Sequence, residues 1–274
     1  MASFECDQAE GLRRLLAGPK PRIFTFLSAA TSAERSAMLV NLSTSLARTG
    51  KQVVLLDGCP SNGVSQRIDV RLQATLLDVA RQQRAFDQVA LQMPHGFHLA
   101  ALTSGSLKPF TPDVDQLRRL SNTFNVLAAQ ADVLLVDAEL DADDAFPIGA
   151  MASGEIVVQV GAGADSVKDA YALIKRLSAQ SGRRPFGIVV SGTDEREAET
   201  VYQNMAQAAS RYLAVQLYSV GFVPSDDHVT RAARQGRAVV DVFPRSGASA
   251  AFRRLAEQLS ARLSHVAPVA EAGA

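Results

Sequence analysis

The chain has 274 residues, of which 47% are hydrophobic and 20% charged, which is enough for a substantial α/β core. Basic and acidic residues balance at 28 each, so the net charge gives no support for bulk binding to nucleic acid, and no nucleic-acid partner is expected. Two cysteines are too few for a disulfide framework, and neither a signal-peptide pattern nor a membrane-spanning stretch is present. These features predict a cytoplasmic protein.

Residues 7–16 are predicted to form a short amphipathic helix. Asp7 can cap it, and Glu10 three residues later completes a capping-box pattern. The apolar face consists of Ala9, Leu12, Leu15 and Leu16. The sequence Gly-Pro-Lys-Pro at 18–21 ends the helix and serves as a linker, so residues 1–21 are taken as one N-terminal unit. From the pattern, this helix either packs on the domain that follows or docks a partner.

A βαβ unit follows the linker. An apolar strand at 23–27 leads into a loop of small residues, then into a helix at 36–49 and a second strand at 53–56. In doubly wound folds the loop after the first strand is where phosphate is usually held. Position therefore favours a phosphate site here, although the residue types do not match one.

The rest of the chain alternates between apolar strands and helices. Further strands are predicted at 97–102, 133–136, 156–160, 187–190 and 216–223. Helices are predicted at 76–80, 113–130, 165–180, 194–212 and 248–266. This pattern predicts an α/β fold with a doubly wound, mainly parallel sheet and helices on both faces. We place the α/β domain at 22–247 and a C-terminal amphipathic helix and tail at 248–274.

Two carboxylates, Asp57 and Asp137, end predicted parallel strands, where ligand crevices form. They could orient Mg²⁺ or water, or simply act as a helix cap or loop salt bridge, and the pattern leaves both open. The four histidines are His95, His98, His228 and His265. His95 and His98 flank a strand entrance with no nearby cysteine or acidic cluster, so no metal site is expected. Cys59 is predicted to be a small buried residue, and no nucleophile elbow or dinucleotide fingerprint is present.

Several segments together resemble the FlhG/FleN family of MinD/ParA-type ATPases, which control flagellar number and placement. Asp7 to Arg13 is similar to the family's D-Q-A-x-x-L-R segment. Ser166 to Lys175 is similar to T-S-I-T-D-A-Y-A-L-I-K. Tyr218 to Pro244 resembles G-Y-I-P-x-D…P-V-V-x-x-F-P. The resemblance runs over nearly the whole length and implies a MinD/ParA-like P-loop NTPase fold.

The same resemblance implies a partner. In this family the N-terminal segment stimulates the signal-recognition-type GTPase FlhF. The residues implied to contact an FlhF-type GTPase are Asp7, Gln8, Ala9, Leu12 and Arg13. Flagellar basal-body or regulator proteins are further partner classes that the family implies. The expected function is therefore regulation of flagellar biosynthesis through binding and stimulating FlhF.

The family's phosphate loop, S-G-K-G-G-V-G-K-T, falls without gaps on Ser28 to Ser36. Every glycine is replaced, although glycine lets backbone N–H groups turn inward around phosphate. The first lysine, the glycine before the second lysine, the second lysine and the threonine become, in that order, Ala30, Glu34, Arg35 and Ser36. Each lost charge-assisted contact typically weakens binding by ~1.5–3 kcal/mol. The resemblance thus points to a degenerate nucleotide site.

Other parts of the ATP machinery are altered as well. The second aspartate of switch I becomes Cys59, switch II falls on Asp137 to Asp141 without its glycine, and the adenine-contacting asparagine becomes Ser191. No cofactor and no ATP hydrolysis are therefore expected. The alternative is a working ATPase that cycles between cytosol and membrane. In it, Arg35 and Ser36 replace Lys-Thr, while Asp57 and Asp137 arrange ATP-bound magnesium.

The last predicted helix occupies the place of the family's membrane-targeting helix. Its membrane candidates are Phe252, Arg253, Arg254, Leu255 and Leu259. From pattern alone it either packs on the domain or lies at the inner face of the cell membrane as a peripheral anchor. Because ATP gates dimerisation and membrane association in this family, a chain without ATP is expected to be a monomer or a nucleotide-insensitive dimer.

Overall fold

A computed structural model describes residues 21–59, 63–103 and 113–261, and within them one sheet carries helices on both faces. The strands are β1 (Arg22–Ser28), β2 (Val53–Asp57), β3 (Leu91–Gln92), β4 (His98–Ala101), β5 (Val133–Asp137), β6 (Glu155–Gly161), β7 (Phe186–Ser191) and β8 (Leu217–Val223). The helices are α1 (Ser32–Ala47), α2 (Val64–Arg67), α3 (Leu76–Ala80), α4 (Val114–Ala129), α5 (Ala164–Ser181), α6 (Glu195–Leu213), α7 (Asp227–Arg234), α8 (Val239–Val242) and α9 (Gly247–Ala261). Single 3₁₀ turns lie at Phe86–Gln88 and Gly149–Ala152.

The sheet has the strand order β3-β4-β2-β5-β1-β6-β7-β8. All pairings are parallel except that of β3 with β4. All five residues of β2 and all five of β5 are buried, because helices cover both faces of a parallel sheet. The predicted doubly wound, mainly parallel α/β fold is confirmed.

Two apolar clusters lie on opposite faces of the sheet. One packs α4, α5 and α6 against the strands through Phe124, Ile174 and Met205. The other packs α1 and α9 through side chains that include Leu42 and Phe252. The alternating side chains of each strand therefore feed two separate cores, which is the physical basis of the three-layer architecture.

Helix α9 is part of the second core, which bears on the two predicted uses of its apolar face. Phe252, Leu255 and Leu259 are at most 2% exposed and lie in the same cluster as side chains of α1 and β8. In this conformation these three side chains are not accessible to lipid, and their assignment as membrane-facing residues stays a prediction. Arg253 and Arg254 lie on the exposed side of the helix.

The sequence patterns found the five-residue helix α3 but missed α2, α7 and α8. Helices of four to eight residues span too few turns to show a 3.6-residue period clearly. A buried side chain from α1 holds α8 in place: the amide oxygen of Asn41 accepts a hydrogen bond of 2.6 Å from the backbone N–H of Val239. Asn41 therefore satisfies a helix N-terminus that no side chain of α8 itself caps.

Candidate functional site

The loop between β1 and α1 is much shorter than predicted. Helix α1 begins at Ser32, four residues before the predicted start at Ser36, so only residues 29–31 connect it to β1. The reason is a capping box. The hydroxyl of Thr31 accepts from the backbone N–H of Glu34 at 3.3 Å, and the Glu34 carboxylate accepts from the N–H of Thr31 at 2.9 Å. A helical turn stands where a longer open loop was expected.

The backbone N–H groups of this loop are bonded within the protein. The N–H of Ala29 donates to the carbonyl of Gln159 at 2.9 Å, and that of Ala30 donates to the hydroxyl of Ser28 at 3.1 Å. The N–H of Thr31 donates to Glu34, as described above. Helix N-termini attract anions, and here the chain's own Glu34 carboxylate lies at that position. An incoming phosphate would have to displace it.

Arg35 turns into the protein from the first turn of α1. Its Nε lies 3.3 Å from a carboxylate oxygen of Asp137, and its terminal guanidinium nitrogen lies 2.8 Å from Glu139. Burial works to lower the pKa of Arg35, but the surrounding groups, Asp137 foremost and Glu139 among them, together outweigh it, so the pKa is raised. The guanidinium therefore remains charged and is engaged with two carboxylates of the loop after β5.

Asp57 and Asp137 lie side by side, because β2 and β5 are neighbours and the two residues are paired in register. The Asp57 carboxylate accepts hydrogen bonds from the backbone N–H of Ser65 at 2.9 Å, from the Ser65 hydroxyl, and from the N–H of Cys59 at 3.2 Å. A Cβ at Gly63 would lie 2.0 Å from an Asp57 oxygen, so only glycine fits there. Asp57 is thus held at the start of α2.

Burial raises the pKa of Asp137 to about 7, although the charge of Arg35 acts in the opposite direction. Burial also raises the pKa of Asp57, against the hydrogen bonds from Ser65. The pKa of the buried Cys59 thiol is raised as well, again by burial. This part of the site therefore favours neutral forms, which suits a packed interior better than ion binding.

Asp57, Cys59 and Asp137 offer three ligand atoms within 4.8 Å of one another. The sequence predicted no metal site, so this proximity is a feature that only the fold creates. The donor set does not fit magnesium, which prefers oxygen ligands at octahedral geometry and binds thiols poorly. One of the two carboxylates is already paired with Arg35. We therefore derive no chemical step through magnesium.

A second polar chain crosses the strand ends beside the loop. The Ser28 hydroxyl donates to the amide oxygen of Gln159 at 3.2 Å, and the amide nitrogen of Gln159 donates to the Ser191 hydroxyl at 3.1 Å. The predicted site residues Ser28 and Ser191 are thereby joined through a residue that the prediction missed. The available signal was a glutamine inside the otherwise apolar segment 156–160. Buried polar side chains need such partners.

An open pocket of about 290 Å³ adjoins the first turn of α1. Its lining includes the carboxylates of Glu34, Asp226 and Asp227, and among the described residues no lysine, arginine or histidine lines it. Burial works to raise the pKa of Asp226, but N–H donors from Ala248 and His228 outweigh it and lower that pKa. The pocket mouth therefore carries negative charge, which repels a polyphosphate.

The predicted site residues thus fall into three groups. Those from 28 to 191 converge at the carboxyl ends of the strands, and the buried hydroxyl of Ser36 forms no hydrogen bond among the described residues. The C-terminal candidates lie on α9 and are split between its buried and exposed faces. The partner-binding candidates Asp7, Gln8, Ala9, Leu12 and Arg13 lie outside the described residues. None of the described helices has both the length and the apolar character needed to cross a bilayer.

The fold is that of the MinD/ParA class of proteins, as solved structures show. The cell division protein MinD of Aquifex aeolicus aligns over 88% of this chain and 97% of its own, with a TM-score of 0.65 and 17% identity. MinD of Pyrococcus furiosus aligns over 88% and 99%, with a TM-score of 0.62 and 20% identity. A ParA family ATPase of Chlorobium tepidum aligns over 86% and 98%, with a TM-score of 0.62 and 18% identity. At these identities the likeness concerns the fold.

Sequence similarity gives the family. The antiactivator FleN of Pseudomonas aeruginosa is 31% identical over 225 residues, which cover 80% of this chain and 79% of FleN. No protein-family model matches the chain. The chain therefore belongs to the FleN/FlhG family of MinD/ParA-type proteins, and the resemblance seen in its motifs is confirmed.

Proposed function

We propose that this chain regulates flagellar number or placement by binding partner proteins and does not hydrolyse ATP. Membership of the FleN/FlhG family supports the flagellar role. One observation carries the second half: the arginine at the second-lysine position is committed to Asp137 and Glu139 inside the protein. The cation that would neutralise phosphate is thus neutralised by the protein's own carboxylates.

The loop geometry supports the same proposal. A phosphate at the N-terminus of α1 would compete with the Glu34 carboxylate, which is held there by a capping box. Micromolar affinity corresponds to about 8 kcal/mol of binding free energy. Contacts to charged groups contribute ~1.5–3 kcal/mol each, so replacing two lysines and closing the amide loop removes most of it.

Isothermal titration with Mg-ATP tests this half of the proposal. We expect no binding tighter than millimolar, and no release of phosphate in a steady-state assay. Arg48→Ala serves as the matched control, because Arg48 pairs with Asp241 at the far end of α1. Submillimolar binding that Asp137→Ala abolishes and Arg48→Ala leaves intact would instead support a working ATPase. In that alternative, the adjacent Asp57 and Asp137 would serve the nucleotide.

The partner proposed for residues 7–13 is an FlhF-type GTPase. The support is the intact D-Q-A-x-x-L-R pattern, which stands beside an altered phosphate loop in one chain. A synthetic peptide of residues 1–20 should bind the GTPase in a pull-down and raise its GTP turnover. Leu12→Ala and Arg13→Ala peptides are the matched controls and should be weaker. A wild-type peptide that neither binds nor stimulates would rule out this partner.

The name of the relative, antiactivator, adds a second class of partner, an activator protein. Membrane contact is proposed only for the exposed side of α9, since its apolar face is buried. Co-sedimentation with anionic vesicles should then be weak and should fall in an Arg253→Glu, Arg254→Glu variant. Size-exclusion chromatography should give one elution volume with and without ATP.

A further inference from the structure

A groove of about 670 Å³ runs along the outer surface of α1 and adjoins the open pocket described above, with which it shares Ala33, Ala37 and Ala233. Its floor is largely apolar, and its apolar lining includes Ala37, Val40, Ile68, Leu91, Met93 and Pro94. Leu91 is 41% exposed, which is unusual for a large apolar side chain in this protein. We call this feature the arginine groove, because Arg67, Arg234 and Arg237 also line it.

The three arginines give the groove a positive charge. All three are exposed, and none of the ion pairs among the described residues involves them. The lining contains one carboxylate, Asp69, while His95 is paired with Asp241. Arg67 and Arg234 lie in the last turns of α2 and α7, where a cation is favourable without any ligand. The helix C-terminus does not explain Arg237, which follows the end of α7. Three arginines around one apolar groove indicate an acidic ligand that also carries apolar side chains.

The chain itself contains a segment of this chemistry. Residues 4–12, which we call the acidic segment, carry three carboxylates, of Glu5, Asp7 and Glu10, and no basic residue. Its large apolar side chains are Phe4 and Leu12. The acidic segment lies outside the described residues, and its charge and the length of its tether bear on where it can dock.

The tether is long enough. Pro94 and His95 line the groove just before β4, and β4 is separated from β1 by β2 and β5. Three strand spacings amount to about 14 Å. With residues 12–16 helical, as predicted, and the six steps from residue 16 to Arg22 extended, the tether from Leu12 to Arg22 reaches about 26 Å. The acidic segment can therefore reach the groove of its own molecule, and the tether raises its effective concentration there to about millimolar.

We propose that the acidic segment docks in the arginine groove of its own chain, with carboxylates facing the three arginines and apolar side chains on the floor. The docking is an intramolecular contact that masks the N-terminal segment. Its regulatory consequence rests on the function proposed above: a masked segment is unavailable to the partner GTPase, so a partner must compete with the groove. The docking itself does not depend on the identity of that partner.

A disulfide cross-link tests the docking in the full chain. Cys6 lies inside the acidic segment, and Leu91→Cys places a thiol in the groove at an exposed position. Cys59 is 6% exposed, so we expect it not to form a disulfide in either variant. The matched control is Val126→Cys, which is 49% exposed on α4, across the sheet. With diamide as the oxidant, the Leu91→Cys variant should form the intramolecular Cys6 disulfide at least tenfold faster than the control.

Charge reversal gives a second measurement. Adding Arg234→Glu and Arg237→Glu to the Leu91→Cys variant should slow cross-linking toward the control rate. The same reversal at the exposed Arg183 and Arg196 should leave it unchanged. Raising the salt from about 0.05 to 0.5 M should also slow it, since exposed charges are screened within ~4 Å at that ionic strength. Equal rates for Leu91→Cys and Val126→Cys, or cross-linked dimers in place of monomers, would overturn the proposal.

A GTPase assay separates this proposal from the function on which its consequence rests. If both hold, the full-length Arg234→Glu, Arg237→Glu variant should stimulate the partner GTPase severalfold more than the unmodified chain, while the free 1–20 peptide should be as active as that variant. If the peptide is inactive but the cross-linking pattern persists, the partner assignment fails and the docking stands. If the peptide is active and the cross-linking rates are equal, the docking fails alone.

Discussion

The two ends of α1 each carry an arginine paired with an aspartate, and the two pairs differ mainly in burial. At the first turn, Arg35 and Asp137 have side chains that are 7% and 0% exposed. At the far end, Arg48 is 50% exposed and its partner Asp241 14%. The inner pair occupies the position of a nucleotide site, whereas the outer pair fastens α1 to α8 through Asp241 and the carbonyl of Val240.

An arginine–aspartate pair therefore contributes differently to stability when it is buried than when it is exposed to water. In the interior, both charges have lost their water, so removing one leaves the other uncompensated. At the surface, water and salt replace most of what a lost partner supplied. We therefore expect the fold to depend strongly on the inner pair and only weakly on the outer pair.

The largest expected effect follows from removing the inner cation. Arg35→Ala should lower the free energy of unfolding by ~3–5 kcal/mol at pH 8, because it leaves Asp137 buried without its counter-charge. Urea denaturation followed by circular dichroism measures this. Arg35→Met is the control that keeps the apolar stem, and it should recover only the packing part of the loss. A loss below about 1 kcal/mol for Arg35→Ala would show that the stability of the fold does not depend strongly on the buried pair.

The second prediction concerns pH. The pKa of Asp137 rises from 3.8 to about 7 on burial, so the native state holds a proton that the unfolded state has released between these values. Stability from this group is therefore highest at low pH and declines through that window, by at most about 1.4 kcal/mol per pH unit. Asp137→Asn removes the titration. The difference in unfolding free energy between wild type and variant should fall as pH rises from about 4 to 7, and then level off. Parallel pH profiles would contradict this.

The capping box at the inner end should have a smaller effect. Thr31→Ala removes the hydroxyl that accepts from the Glu34 N–H and should lower stability by about 1 kcal/mol. Glu34→Gln keeps an acceptor for the Thr31 N–H but removes the charge from the helix N-terminus, so it should lower stability by ~0.3–1 kcal/mol. Thermal denaturation of both variants measures the two parts. If Thr31→Ala is neutral, the early start of α1 does not depend on the cap.

The smallest effect is expected at the outer end. Arg48→Ala should lower stability by no more than about 1 kcal/mol, because half of this side chain is exposed and its pair is screened. Repeating the urea denaturation at 0.5 M salt should shrink the difference further. A loss as large as that of Arg35→Ala would end the comparison, since burial would then not separate the two pairs.

Much of the fold was accessible from local patterns. The runs that became β2 and β5 are apolar throughout, and long helices such as α4 and α6 repeat apolar residues over four or more turns. Such periodic segments carry enough residues for the pattern to stand out. The start of α1 was misplaced because the small residues that follow Ser28 were interpreted as a loop, and the capping signal of Thr31 and Glu34 was not used.

The candidate site was partly accessible. Asp57 and Asp137 could be placed at neighbouring strand ends, because parallel strands end at one edge of the sheet. The pairing of Arg35 with Glu139 could not, since it depends on which way a long side chain turns from the helix. Gln159 was missed because its role requires two serines from different strands to flank it.

Periodicity and motifs that are contiguous along the chain were sufficient to predict the α/β class, the order of the main strands and helices, and the family to which the chain belongs. The burial of the apolar face of α9 in the core, and the pairing of Arg35 with Asp137 and Glu139, became visible in the folded structure alone. An amphipathic pattern predicts that one face of a helix will be covered, and a buried charge requires a partner. Which surface or group meets that need depends on residues a hundred or more positions away, which folding alone brings into contact.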